Sequence, residues 1–203
     1  MNRAEDLVAA AGSRWVGLAE HPFVLATADG TLTVANFDRW LLEDHAFVVQ
    51  FRRFLAGVLV AAPDEVARDV LAGGLAALTP ELELFRSELA QRGLDPGGYE
   101  ASTVCLGYSG WMLASLNSGY DVALAVLHGV ERAYLDAWTA VRQRSRGHQY
   151  EAFVRNWSSP EFGAWVQELG ELLGPGPPSP AQVYAYRQVA GWEHAFWDAV
   201  HPG

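Results

Sequence analysis

Three carboxylates in this 203-residue chain stand where helical periodicity calls for apolar side chains. In "WLLEDHAFVVQF" (40–51), Trp40, Phe47, Val48 and Phe51 lie at offsets of −4, +3, +4 and +7 from Asp44, which is the spacing of one helix face. Around Glu131, Leu124, Leu127, Tyr134, Leu135 and Trp138 lie at −7, −4, +3, +4 and +7. Around Glu193, Val189, Phe196, Trp197 and Val200 lie at −4, +3, +4 and +7. A buried lone carboxylate is costly unless it is paired, hydrogen-bonded or protonated. The bland reading pairs each acid with an arginine or with a neighbouring helix end. Three such acids, each beside aromatics, set a second reading level with it: a shared polar pocket inside a helical bundle, a usual form of small-molecule site. Carboxylates facing one cavity raise one another's pKa, and that separates acid from base roles. Glu43 shares its face with Arg39 and Gln50, so it is expected at the solvent edge.

Other chemistry is thin. Cys105 is the sole cysteine, and it reads as a small buried hydrophobe rather than a nucleophile. His128 and Glu131 are three residues apart, as are Asp198 and His201. Helical di-iron proteins use Glu-x-x-His, but the first pair has the reverse order and the second lies on a terminal turn. No metal and no cofactor are expected. Walker-type, G-x-G-x-x-G and G-x-S-x-G motifs are absent. Phe47, Tyr108 and Trp157 could line the pocket of a planar ligand, although each alone is ordinary core.

The elements that must position these residues are helical throughout. Helices are expected over about 2–19, 37–61, 64–76, 80–92, 101–117, 120–146, from 148, 160–173 and 180–200. "TADGTLTVAN" reads as a loop with Asn36 as the cap of the following helix. Thr79-Pro80 and Ser179-Pro180 read as helix starts. The "GPGPPSP" spacer (174–180) is too short to divide domains. The expected architecture is therefore a single all-α domain, 1–203, of seven or more helices. The chain is 50% hydrophobic with 8 Trp, enough for a real core. Its net charge of −10 argues against a nucleic-acid partner or an anionic membrane surface. No stretch approaches about 18 apolar residues, the length of a membrane span, and the start lacks the pattern of a signal peptide. A soluble cytoplasmic protein is expected.

At these same residues the sequence resembles the TenA/thiaminase II family, whose fold is haem-oxygenase-like. "HPFVLATADGTLTVANFDRWLLEDHAFV" (21–48) is similar to that family's N-terminal signature. "NWSSPEFGAWV" (156–166) and "WEHAFWDAV" (192–200) resemble two later segments. The resemblance spans nearly the whole chain. It implies that Asp44 binds the amino group and ring nitrogen of an aminopyrimidine, and that Glu193 is the catalytic glutamate. Phe47 falls where many members have tyrosine, Tyr108 matches an aromatic that packs on the ring, and Trp157 falls where tyrosine is common. The best-known branch carries a nucleophilic cysteine in a Leu-Pro-Cys-x-Trp-x-Tyr motif. The corresponding stretch here is "LHGVERAY" (127–134). Aligned on Leu127, Gly129 takes the cysteine's place; aligned on Tyr134, Val130 does. Cysteine is missing either way, and Glu131 is close by. The chain thus looks like the cysteine-less, glutamate-type branch of thiamin salvage, which hydrolyses formylaminopyrimidine or aminopyrimidine towards the hydroxymethyl pyrimidine. On that reading Glu193 donates a proton, Glu131 is the base that positions water, and Asp44, Phe47, Tyr108, Tyr134 and Trp157 hold the substrate. Family members are often dimers or tetramers, so a homo-oligomer is implied. Two rivals from other classes stand beside it: a non-catalytic pyrimidine-binding or regulatory homologue, and a helical di-iron oxidase.

Overall fold

A computed structural model describes residues 3–145 and 150–201. The chain runs through α1 (Arg3–Ala11), α2 (Ser13–Val16), a 3-10 turn (Gly17–Glu20), α3 (Pro22–Asp29), α4 (Val34–Ala61), α5 (Glu65–Arg92) and α6 (Thr103–Ala114). A second 3-10 turn (Ser115–Ser118) leads to α7 (Tyr120–Arg144), α8 (Glu151–Trp157), α9 (Pro160–Leu172) and α10 (Pro180–Val200). The all-α expectation holds. Two compact units divide the chain, one of residues 1–32 with 121–195 and one of 33–120 with 196–203. No helix among the described residues is long and apolar enough to cross a membrane.

In the first unit, Gly12 at φ 65° breaks the expected helix 2–19 into α1, α2 and the 3-10 turn. Gly can hold that angle without a Cβ penalty. Residues 22–29, of which 27–29 are expected in a loop and 22–26 in no element, form α3. His21 caps it by accepting from Phe23 N at 3.2 Å, and Pro22 occupies the first turn. Gly30, at φ 74°, ends it, as the Asp29-Gly30 pair suggests. The last helix begins with a capping box: Ser179 Oγ accepts from Gln182 N and Gln182 Oε1 accepts from Ser179 N, so two orphan donors are met reciprocally. Helices α7 and α10 approach closely where α7 carries Gly129, since a Cβ there would lie 3.3 Å from Val189 Cγ2. The helix expected from 148 starts partly outside the described residues, and α8 begins at Glu151.

In the second unit, α4 packs against both α5 and α6. Its cap is Thr33, whose hydroxyl accepts from Asn36 N, so Asn36 is inside the helix rather than at its end. The two helices expected over 64–76 and 80–92 are one, α5, with Pro80 inside. Pro80 removes a donor and sits on an exposed position. The buried stripe of Leu71, Gly74, Leu78, Leu82, Phe85 and Leu89 continues across it, and burying that stripe outweighs the missing bond.

Candidate active site

Asp44, Phe47 and Tyr108 belong to the second unit, and Glu131, Tyr134, Trp157 and Glu193 to the first. All three carboxylates are buried: Asp44 is 0% exposed, Glu193 1% and Glu131 8%. Periodicity placed them on inner faces, and the helices put them there.

In the second unit α4 supplies Asp44 and, one turn on, Phe47. Helix α6 brings Tyr108 to Phe47 with ring centroids 4.7 Å apart, and Phe196 also meets Phe47, at 5.9 Å. These tilted contacts are in the range where aromatic pairs attract beyond simple burial. The result is a fixed aromatic surface one helical turn from a buried acid.

Glu43 departs from expectation. It is 2% exposed, not a solvent residue. Its Oε1 accepts from Tyr99 Oη at 2.5 Å and from Ser102 N at 2.8 Å, and its Oε2 accepts from Ser102 Oγ at 3.0 Å. The period argument assumed one buried face, but α4 is covered on two sides. Burial, and next the carboxylate of Glu43, push the Tyr99 phenol well up from its usual range. Cys105 lies at the same place, 1% exposed, with its thiol donating to the Glu43 carbonyl at 3.6 Å. Burial, and next Glu43, raise that thiol to about 12. At neutral pH it is protonated and not a nucleophile, as its sequence context suggests.

In the first unit Glu131 accepts a hydrogen bond from Trp165 Nε1 at 2.8 Å. Sequence reasoning missed this partner, although Trp165 stands in the quoted segment 156–166. An indole N–H only donates, so it fixes one carboxylate oxygen as an acceptor. Tyr134 and Trp157 meet edge to face at 5.3 Å, and Trp138 lies 5.3 Å from Trp157. The Gly129 contact with α10 also bears on the missing cysteine, because a side chain at 129 would press on Val189 and Tyr186.

His128 is bonded to a tyrosine. Its Nδ1 is bonded to the Tyr186 hydroxyl, and burial, then Arg132, lower its pKa to about 3. Tyr186, fully buried, is pushed well up by that burial. No three His, Cys, Asp or Glu side chains among the described residues group as a metal site would need. Two cavities in this unit, of about 470 and 550 Å³, flank Arg132. Neither is lined by any of the seven candidate residues, so their size does not make them the site.

Comparison with known proteins adds to this geometry. The TENA/THI-4/PQQC family model matches residues 9–175. The "Probable bifunctional TENA-E protein" of Glycine max is 29% identical over 165 residues, covering 77% of this chain and 72% of that one. The "Thiamine biosynthesis multifunctional protein ThiED" of Corynebacterium glutamicum is 25% identical over 75% of this chain, which spans 20% of its length. A solved TenA homologue from Pyrococcus furiosus superposes with a TM-score of 0.90 at 26% identity, covering 97% of this chain and 98% of that one.

Proposed function

Because this chain belongs to the TENA/THI-4/PQQC family, we propose that it is a thiamin-salvage hydrolase. Its substrate would be an aminopyrimidine, and its nucleophile water rather than cysteine. The observation that carries the reading is the burial of Asp44, Glu131 and Glu193 in a chain whose stretch 127–134 holds no cysteine.

Asp44 accepts hydrogen bonds from the exocyclic amino group and, on a protonated ring, from the ring N–H. Such charge-assisted bonds are about twice as strong as neutral ones. Phe47 and Tyr108 stack on the ring, and the family resemblance assigns Tyr134 and Trp157 to substrate binding as well. Phe47 has no hydroxyl, so no phenol donor acts at that position. Glu131, held by Trp165, takes a proton from water as the oxygen attacks the carbon of the C–N bond. Glu193 gives a proton to the departing nitrogen. From formylaminopyrimidine the products are formate and the amine; from aminopyrimidine they are ammonia and the hydroxymethyl pyrimidine. A homo-oligomer goes with this reading, and light scattering checks it.

Turnover of formylaminopyrimidine, aminopyrimidine and thiamin by wild type and Glu193→Gln tests the proposal. Release of formate or ammonia by wild type is expected, at least about 100-fold slower in the variant. A second reading, a pyrimidine-binding protein without turnover, is favoured by the missing cysteine. It predicts saturable pyrimidine binding with no product from any of the three compounds, and that outcome would sink the hydrolase.

A further inference from the structure

Glu43 has more partners than burial alone requires. Its carboxylate takes three hydrogen bonds, all from the segment that opens α6: Tyr99 Oη, Ser102 N and Ser102 Oγ. Ser102 is the cap of α6, and its hydroxyl oxygen accepts from Cys105 N at 3.1 Å. By accepting the hydroxyl's hydrogen bond, Glu43 turns the Ser102 lone pair towards that helix end. The carboxylate thus sits where orphan N–H groups and the helix dipole favour an anion. The same turn is tied again by the Cys105 thiol on the Glu43 carbonyl. One turn further along both helices, Phe47 meets Tyr108. Latch and aromatic pair are therefore two successive rungs between α4 and α6.

We infer that Glu43 is a positioning residue: it sets the register of α6 against α4, and so holds Tyr108 over Phe47 beside Asp44 for ring binding. The role rests on the proposed pyrimidine site, but the register itself does not. Glu43 does not touch the reacting atoms. Its loss is felt in binding, because the groups assigned to proton transfer are Glu131 and Glu193.

The test uses the full chain with Glu43→Ala, Glu43→Gln and a control, Asp64→Ala. Asp64 caps α5 by accepting from Ala67 N at 2.9 Å, so its variant loses a helix cap in the same unit without touching the latch. With aminopyrimidine as substrate, Glu43→Ala is expected to raise KM about tenfold and to leave kcat within about twofold. Glu43→Gln restores most of the KM, since an amide oxygen still accepts from Tyr99 and Ser102 N. Asp64→Ala leaves KM unchanged. A KM that rises as much in Asp64→Ala, or a loss confined to kcat, overturns the proposal. Register is read without substrate by the rate at which a disulfide reagent labels Cys105. Labelling should quicken in Glu43→Ala well beyond Glu43→Gln, which removes the same charge from beside the thiol but keeps the latch, and stay slow in Asp64→Ala; equal rates in the two Glu43 variants overturn the register. Unchanged labelling in Glu43→Ala overturns the inference even where wild type is active; faster labelling in a protein that neither binds nor turns over pyrimidine supports the register and sinks the functional reading instead.

Discussion

Trp165 holds Glu131 through a single N–H, and that bond is a handle on the assignment of the base. Trp165→Phe keeps most of the ring and removes only the donor. A hydrogen bond to a charged group is worth about 1.5–3 kcal/mol, so kcat is expected to fall at least about tenfold if the bond orients the base. KM should hold within about twofold, because ring binding is assigned elsewhere. Steady-state kinetics on aminopyrimidine decide it; a raised KM with unchanged kcat would move Glu131 to the binding side. Legibility at this scale had a sharp edge. Asp44, Glu131 and Glu193 were readable because an acid in an apolar stripe is conspicuous at a period of 3.6. Glu43 was not, because its partners Tyr99 and Ser102 are 56 and 59 residues away, and nothing in its own stretch announces them. Trp165 was hidden in the same way: an indole in an aromatic-rich helix looks like core until its N–H finds an acceptor.

At the scale of elements, α5 shows where local rules yield to packing. Thr79-Pro80 has the form of a helix start, yet the chain runs helical from Glu65 to Arg92. A proline inside a helix costs about 3 kcal/mol against alanine, and here the ring faces solvent, so it has no packing to offset the loss. Pro80→Ala is therefore expected to stabilise the protein by about 1–3 kcal/mol, read as a higher urea midpoint with unchanged m-value. A lower midpoint would mean that the proline stabilises the folded chain more than it costs the helix. The helix missed at 22–29 teaches the complementary lesson. Its cap is a histidine ring nitrogen, outside the Ser, Thr, Asp and Asn set by which helix starts are recognised. Its end at Gly30 was legible as a turn, so residues 27–29 read as loop, and nothing in 22–26 announced a helix. Gly12 in turn split α1 from α2, because a positive φ is invisible in an Ala-rich stretch whose periodicity continues across it.

For the whole molecule, a proton taken up on unfolding links one buried pair to overall stability. His128 is neutral in the folded chain: burial first, then Arg132 one turn along α7, lowers its pKa to about 3. Its Nδ1 faces the Tyr186 hydroxyl, and Ala4, Glu5, Gly170 and Glu171 line the cavity on its other side. In the unfolded chain the same ring titrates near about 6.5. Above that pH both states hold a neutral imidazole, and the contribution to stability is complete. As pH falls, the unfolded chain binds a proton that the folded chain refuses. Stability is then lost progressively from about pH 6.5 down to about 3, at up to about 1.4 kcal/mol per pH unit. By pH 5 the loss from this ring is about 2 kcal/mol. His128→Gln keeps an acceptor for Tyr186 and cannot titrate. Urea unfolding of both proteins at pH 8 and pH 5 should show the variant losing about 2 kcal/mol less than wild type between the two. Glu5 and Glu171 are present in both proteins, so whatever they contribute subtracts from the comparison. Equal losses in the two proteins would mean that the folded chain protonates His128 as readily as the unfolded one, with Glu5 and Glu171 near enough to offset burial.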